Sequence, residues 1–272
     1  MSSINVCVVG AAGRMGKAIT RCLLSHAVPD LRLSGAIDLP GAPDMNQDAG
    51  LAAGVSEAGV SITPDLAAVA AATDVVIDFT VPQGTAADAR RLAEWGKGWV
   101  IGTTGFSADE LNAIEAASTT IPIVMAPNMS LGVNLLFRLV EEGACALKDR
   151  GYDVEIIERH HRRKKDAPSG TALGLGQAVA NGMKWSLDEV ACHGRHGVDL
   201  GDRPEKQIGF HAIRGGNCVG DHTVLFATDG ESVELSHRAT SRDTFAMGAL
   251  QAAAWVHGRK AALYTMRDVL GV

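Results

Sequence analysis

Residues 158–173, ERHHRRKKDAPSGTAL, concentrate side chains that can move protons and hold anions. The seven consecutive positions 159–165 are all basic or imidazole-bearing in a chain of net charge −6, so this positive charge is local. An imidazole titrates near neutral pH and an ammonium carries a spare proton, which makes His160, His161 and Lys164 candidates for proton transfer. The run then meets Pro168, Ser169 and Gly170, residues that open a helix, and the apolar TALGLGQAVA supplies its body. A helix N-terminus offers unpaired N–H groups to an anion. Two anion-binding devices beside proton carriers predict a site for a small carboxylate substrate. The competing reading is a solvated basic face or a nucleic-acid patch. No aromatic residues interleave the run for base stacking and the rest of the chain is acidic, so no nucleic-acid partner is expected.

Chemistry of this kind needs a frame. Residues 4–9 (INVCVV) read as a buried strand, GAAGRMG follows at 10–16, and 17–24 has helical spacing. Gly10, Gly13 and Gly16 in a strand–turn–helix context fit a dinucleotide fingerprint, with the pyrophosphate at the helix N-terminus. A second strand, 31–37, ends at Asp38, placed to accept from the ribose hydroxyls of adenosine. Strand-like runs at 75–79, 99–101 and 122–125 alternate with Ala-rich helical stretches, which predicts a parallel sheet with its ligand at the carboxyl ends of the strands. Gly102, Thr103 and Thr104 lie at one such end, and Ala126, Pro127, Asn128 and Met129 at another.

After residue 130 the pattern changes. A helix is expected over 131–147 and strands at 152–159, 207–214, 222–228 and 232–238, the last two joined by an Asp-Gly turn. Consecutive strands imply a largely antiparallel sheet that needs cover on both faces or a partner's sheet. The reading is therefore α/β: a Rossmann-type nucleotide-binding domain at 1–129, completed by 241–272, and an α+β domain at 130–240 for substrate binding and oligomerisation. A capping box at 240–243 is expected to start the final helix, running to about residue 257.

Composition narrows the classes. Of 272 residues 46% are hydrophobic and 21% charged, which excludes a disordered chain, and 4% aromatics require an aliphatic core. Five cysteines at 7, 22, 145, 192 and 218 form no Cys-x-x-Cys pair, which argues against a disulfide framework or zinc ribbon. His193 and His196 have a spacing that metal sites use, but only Cys192 accompanies them, so no metal is expected. Neither a signal peptide nor an apolar run of membrane-spanning length is apparent, so a cytoplasmic protein with no membrane partner is expected.

The motifs GAAGRMG (10–16), DFT (78–80), GTTG (102–105), APNMSLGVN (126–134), ERHHRRKKDAPSGTAL (158–173) and SHRATSRDTFAMGAL (236–250) together resemble the 4-hydroxy-tetrahydrodipicolinate (dihydrodipicolinate) reductase family of diaminopimelate and lysine biosynthesis. The resemblance covers essentially the whole chain. It implies an NAD(P)H-dependent reduction of a cyclic imine dicarboxylate by a homotetramer of two-domain subunits. Carried over by position, His160 and Lys164 supply the proton that accompanies the hydride, and Lys164, flanked by Arg162, Arg163 and Lys165, should part with its proton readily. His161 resembles a substrate ligand, and Gly170 and Thr171 resemble the holders of one substrate carboxylate. Gly10, Ala11, Ala12, Gly13, Arg14 and Met15, together with Asp38, take cofactor roles. So do Gly102 to Thr104 and Ala126 to Met129, Met129 standing where the family often has an aromatic. Leu39 stands where some members carry a cation, so NADH is the expected cofactor, with NADPH accepted as well. The competing functions are a related dehydrogenase of the aspartate pathway and a non-catalytic nucleotide-sensing or polyanion-binding protein. Against a semialdehyde dehydrogenase, Cys145 lies in an apolar helical run and Cys7 inside a strand.

Overall fold

The structure is a computed structural model and describes residues 3–272. It divides into two compact units, one taking the chain up to Leu131 together with Arg242–Gly271, the other taking Gly132–Ser241. In the first, β1 (Ile4–Val9), α1 (Arg14–Leu24), β2 (Leu31–Ile37), α2 (Ala49–Ala52), β3 (Ile62–Thr63) and α3 (Leu66–Ala70) run toward one edge of a sheet. β4 (Val75–Asp78), α4 (Pro82–Glu94), β5 (Gly98–Ile101), α5 (Ala108–Ser118) and β6 (Pro122–Met125) run toward the other.

The second unit holds α6 (Leu131–Leu147), β7 (Asp153–His160), α7 (Gly170–Met183), α8 (Leu187–Val190), β8 (Ala191–His193), β9 (Ile208–Arg214), β10 (Gly220–Ala227) and β11 (Ser232–Ala239). Its strand order is β11-β10-β7-β9-β8. β10 is antiparallel to both β7 and β11, but β9 is parallel to both β7 and β8. The sheet is therefore mixed, where the sequence pattern implied a largely antiparallel one. The cause is α7, which carries the chain away from β7 and back, so the following strands return in the same direction as in any βαβ crossover. Helices α6 and α7 cover one face, with Leu136, Val140, Leu175 and Val179 packed on Val154, Ile156, Val224 and Phe226. Along β7 the alternate residues Val154, Ile156, Glu158 and His160 are the buried ones, so the helix-covered face is apolar at its start and polar at its carboxyl end.

The chain returns to the first unit with α9 (Asp243–Val256), β12 (Ala262–Tyr264) and α10 (Met266–Leu270). Two expectations are corrected here. The residue preceding α9 is Arg242, whose side chain makes no cap bond. β11 continues to Ala239, so Thr240 is still leaving the sheet and the box at 240–243 does not form. Nor is α9 the last element: β12 pairs with β6 and completes a seven-stranded parallel sheet of order β12-β6-β5-β4-β1-β2-β3. Three residues are too few to show a strand period in sequence. Alternate residues of β1 serve opposite faces, Val6 and Val8 joining Ile19, Ala249 and Leu250, while Cys7 and Val9 join Leu92, Trp99 and Ile114. Helices thus cover both faces, as a continuous β-branched strand requires. No helix among the described residues is long and apolar enough to cross a membrane.

Candidate active site

The chain leaves β1 toward β2 and leaves β4 toward β5, so the turns after β1 and β4 diverge and open a crevice at the carboxyl edge of the sheet. A cavity of about 800 Å³ lies there, lined by Gly10, Ala12, Gly13, Asp38, Thr80 and Arg91 among others. This is a size that takes a cofactor. Gly10 has φ of 84°, and a Cβ on it would stand 2.5 Å from the Phe79 carbonyl oxygen, so the tight turn tolerates no side chain. Helix α1 begins at Arg14 after Gly13, with no side chain capping it, which leaves its first N–H groups available to an anion. Ala11 is buried, Met15 half-buried and Arg14 exposed. Asp38 accepts the Ala12 N–H at 2.8 Å through Oδ2 and the Leu39 N–H at 2.8 Å through Oδ1, so the carboxylate is fixed on the rim of the glycine turn. These residues fit a dinucleotide: a donor-lined helix start for the pyrophosphate, and an acceptor beside it for ribose hydroxyls.

Two further predicted segments follow β5 and β6 on the same edge. A Cβ on Gly102 would meet the Phe79 ring at 2.2 Å, so this loop is packed too closely for any larger residue. Thr104 is exposed and Thr103 buried. Pro127 is exposed, and Asn128 Oδ1 accepts the Ser130 N–H at 2.9 Å. Met129 is 1% exposed and belongs to the hydrophobic core, so its side chain supports the loop from beneath.

Thr103 is held by a residue to which the sequence reading gave no role. Asp78, at the end of β4, is 1% exposed. Its Oδ1 accepts from the Thr80 hydroxyl at 2.7 Å and from the Thr103 hydroxyl at 3.3 Å, and Thr103 in turn accepts from Thr85 at 3.0 Å. Burial pushes the Asp78 carboxyl up to about 6, and the three threonines resist this only in part.

In the second unit the proton-carrying residues meet the start of α7. His160 Nδ1 lies 2.5 Å from Glu158 Oε2. Arg214, from β9, grips the same carboxylate at both ends, Nη1 to Oε2 at 2.7 Å and Nη2 to Oε1 at 2.6 Å. The Ser169 N–H donates to Glu158 Oε1 at 3.0 Å, while the Ser169 hydroxyl accepts the Ala172 N–H at 3.1 Å and caps α7. Gly170 and Thr171 are the first two residues of that helix, and nothing stands within 4 Å of where a Cβ on Gly170 would point. Lys164 Nζ lies 2.8 Å from Asp166 Oδ2, so its nearest charge is an anion rather than the neighbouring cations. His161 is half-buried, its N–H bonded to the Cys218 carbonyl at 2.8 Å. Burial lowers the His160 imidazole, and Lys164 and Arg214 add to this, against an upward pull from Glu158. Burial would raise the Glu158 carboxyl, but Arg214 and His160 together hold it below the ordinary range.

The predicted residues thus gather at two places, the carboxyl edge of the parallel sheet and the end of β7 beside the start of α7. The sequence reading missed Asp78, Glu158, Arg214 and His222. Glu158 had a signal, since it stands two residues before His160 in a strand and so shares its face. Arg214 and His222 lie more than fifty residues away along the chain and had none. No group of three or more His, Cys, Asp or Glu among the described residues could hold a metal ion.

Comparison with known proteins agrees with both halves. Residues 4–129 match the family model described as dihydrodipicolinate reductase, N-terminus, and residues 132–270 match dihydrodipicolinate reductase, C-terminus. A 4-hydroxy-tetrahydrodipicolinate reductase of Nitrosomonas europaea is 50% identical over 272 residues, covering 100% of both chains. One from Anaeromyxobacter sp. is 49% identical over 269 residues, covering 99% of this chain and 98% of its own. The fold is shared with a dipicolinate-bound dihydrodipicolinate reductase from Paenisporosarcina sp. TG-14, at a TM-score of 0.77 and 24% identity over 98% of this chain and 99% of that one. With both models matched in order and half of all residues identical to full-length relatives, the chain belongs to the dihydrodipicolinate reductase family, NAD(P)H-dependent oxidoreductases of the diaminopimelate route to lysine.

Proposed function

We propose that the chain reduces a cyclic imine dicarboxylate, taking NADH in preference to NADPH, with His160 and Lys164 delivering the proton. The observation that carries this reading is Glu158, one buried carboxylate bonded both to the His160 ring and to the N–H of Ser169. It keeps a proton carrier within one side chain of a helix N-terminus, and a substrate with a carboxylate next to its reducible bond needs that pairing. The dipicolinate bound by the Paenisporosarcina relative is itself a small dicarboxylate. Gly170 and Thr171 receive one carboxylate at the start of α7 and His161 contributes a further contact. Bound nicotinamide supplies the hydride. His160, carrying a proton on both ring nitrogens in the reacting complex, releases the one on Nε2, whose N–H electron pair stays on the ring while Nδ1 keeps its own proton toward Glu158. Lys164, steered by Asp166, is the second carrier in the same loop. One double bond of the substrate gains a hydride and a proton.

In this reading the first unit holds the cofactor through residues 10–15, Asp38, residues 102–104 and residues 126–129, and the second holds the substrate and associates with other copies. The support for a homotetramer is the face of the mixed sheet opposite α6 and α7, where Ile157 is 37% and Ile213 48% exposed. All five cysteines are free, which fits a cytoplasmic, reducing compartment.

The test is NADH oxidation that depends on the product of the aldolase-type synthase preceding this step. Replacing His160 or Lys164 by Ala lowers turnover by about 10² or more while cofactor affinity stays nearly intact. Near-normal turnover in both variants sinks the assignment. Cofactor choice follows from Asp38, because an extra phosphate at the ribose brings like charge to it. At an effective dielectric of about 20 and about 5 Å, one unit of repulsion is roughly 3 kcal/mol before screening. Leu39 offers no cation there, and Arg91, the one Lys or Arg lining the cavity among the described residues, is held by Asp88 at 2.7 Å. Arg14 opposes the preference in part, since its exposed guanidinium can swing toward the phosphate. The ratio of kcat/KM for the two cofactors at fixed ionic strength decides it, and Leu39→Arg moves that ratio toward NADPH.

A further inference from the structure

Glu158 is 1% exposed, and a buried carboxylate is tolerated only when its charge is compensated and its lone pairs are used. Arg214 alone provides the charge, gripping both oxygens. Yet the remaining acceptor directions go to two groups of the reaction site, the His160 ring and the N–H of Ser169 at the cap of α7. A carboxylate only accepts, so Nδ1 of His160 must carry the proton of that bond. Nε2 makes no hydrogen bond to any described residue, and it is the atom left to exchange a proton with a substrate. The neighbouring His222 pairs directly with Glu158 across the sheet and meets the His160 ring edge-on at 5.1 Å. The Ser169 hydroxyl, which accepts from Ala172, also lies 3.0 Å from His222 Nε2. Burial, before the neighbouring His160, lowers the His222 imidazole to about 4, so this ring adds no charge beside Glu158 at neutral pH.

We propose that Glu158, compensated by Arg214, is a positioning residue that fixes the tautomer of His160 and joins its ring to the carboxylate-binding start of α7. The inference rests on His160 being a proton donor, and it explains how one side chain couples donor orientation to substrate anchoring. Among charged and titratable groups, His160 faces Glu158 on its own strand, Arg214 from β9, His222 from β10, and Lys164 with its partner Asp166 from the following loop. Asp221 and His237 lie one step further, around His222. Of these, Glu158 alone both raises the His160 imidazole and touches it.

Glu158→Gln keeps size and removes the charge, and the double variant Glu158→Gln with Arg214→Met removes both charges, so that folding survives if the single variant is too unstable. The first measurement is ¹⁵N NMR of the His160 ring in the resting protein, assigned with His160→Ala. The wild type is expected to show Nδ1 protonated in the neutral ring, and both variants a mixture of tautomers with the ring titrating at lower pH. The second is turnover, expected to fall by about 10- to 100-fold in both variants, the range seen when the partner orienting a working histidine is lost. A purely structural Glu158 predicts that the double variant recovers wild-type turnover together with the wild-type tautomer and titration, and that result overturns the proposal. If His160→Ala turns over normally the proton-donor reading fails instead, while the ring spectra still decide whether Glu158 fixes the tautomer.

Discussion

Asp78 and Glu158 stand at equivalent places in the two units, each at or near the carboxyl end of a central strand and each 1% exposed. Their surroundings push them in opposite directions. Asp78 is met by hydroxyls alone, and burial carries its carboxyl up to about 6. Glu158 is met by a guanidinium and an imidazole, which together overcome burial and hold its carboxyl below the ordinary range. Hydroxyls satisfy lone pairs but bring no net charge, whereas Arg214 brings both. The difference follows the task each unit has in the proposed reaction. In that reaction a ring that must be oriented needs a carboxylate that stays charged well into the acid range, and Arg214 keeps Glu158 so.

The largest expected effect removes the compensation. Arg214→Met leaves Glu158 buried without the guanidinium that compensates its charge, and the loss of stability at pH 7 should be about 3–5 kcal/mol, read from urea unfolding. The wild-type contribution of Glu158 is present above its ordinary value of 4.5 and is lost as pH falls through its lower folded value. The penalty in the variant should therefore shrink as the medium is acidified toward pH 4. A variant as stable as wild type at pH 7 breaks the comparison.

Asp78 gives the opposite slope. Its folded carboxyl is raised from 3.8 to about 6, so the stability it contributes is present below 3.8 and lost as pH rises through about 6. The whole change is about 3 kcal/mol, and Asp78→Asn should abolish it, so that wild type and variant differ in the pH dependence of unfolding between about pH 4 and 6. Parallel curves would show that Asp78 is ionised throughout. The smallest effect sharpens the role of the hydroxyls. Thr85→Val keeps the shape and removes one link to Thr103, and it should cost about 1 kcal/mol and move the Asp78 titration upward, followed by ¹³C NMR of the carboxyl. No movement of that titration would mean the threonines merely fill space.

Much of this molecule was legible from residues alone because the signals are local. The strand at 4–9, the glycine turn and the acidic end of the second strand are neighbours in sequence, and backbone geometry requires glycine at Gly10 whatever else the chain does. The helix opened by Ser169 was equally readable, since a cap bond spans three residues. The candidate residues of the basic run were found by type and by resemblance, and the period of β7 put Glu158 on the face of His160.

Tertiary structure alone decided the rest, because it depends on what lies across a sheet. Arg214 reaches Glu158 only because α7 makes β9 parallel to β7, bringing residue 214 beside residue 160. His222 faces Glu158 only through the antiparallel register of β10. Asp78 lies in a motif visible in sequence, yet its raised carboxyl follows from burial and from threonines 2, 7 and 25 residues away, which no local pattern encodes. The sequence determined which groups could carry protons and anions. The pairing of strands decided which buried carboxylate has a cation beside it, and that is the carboxylate bonded to the His160 ring.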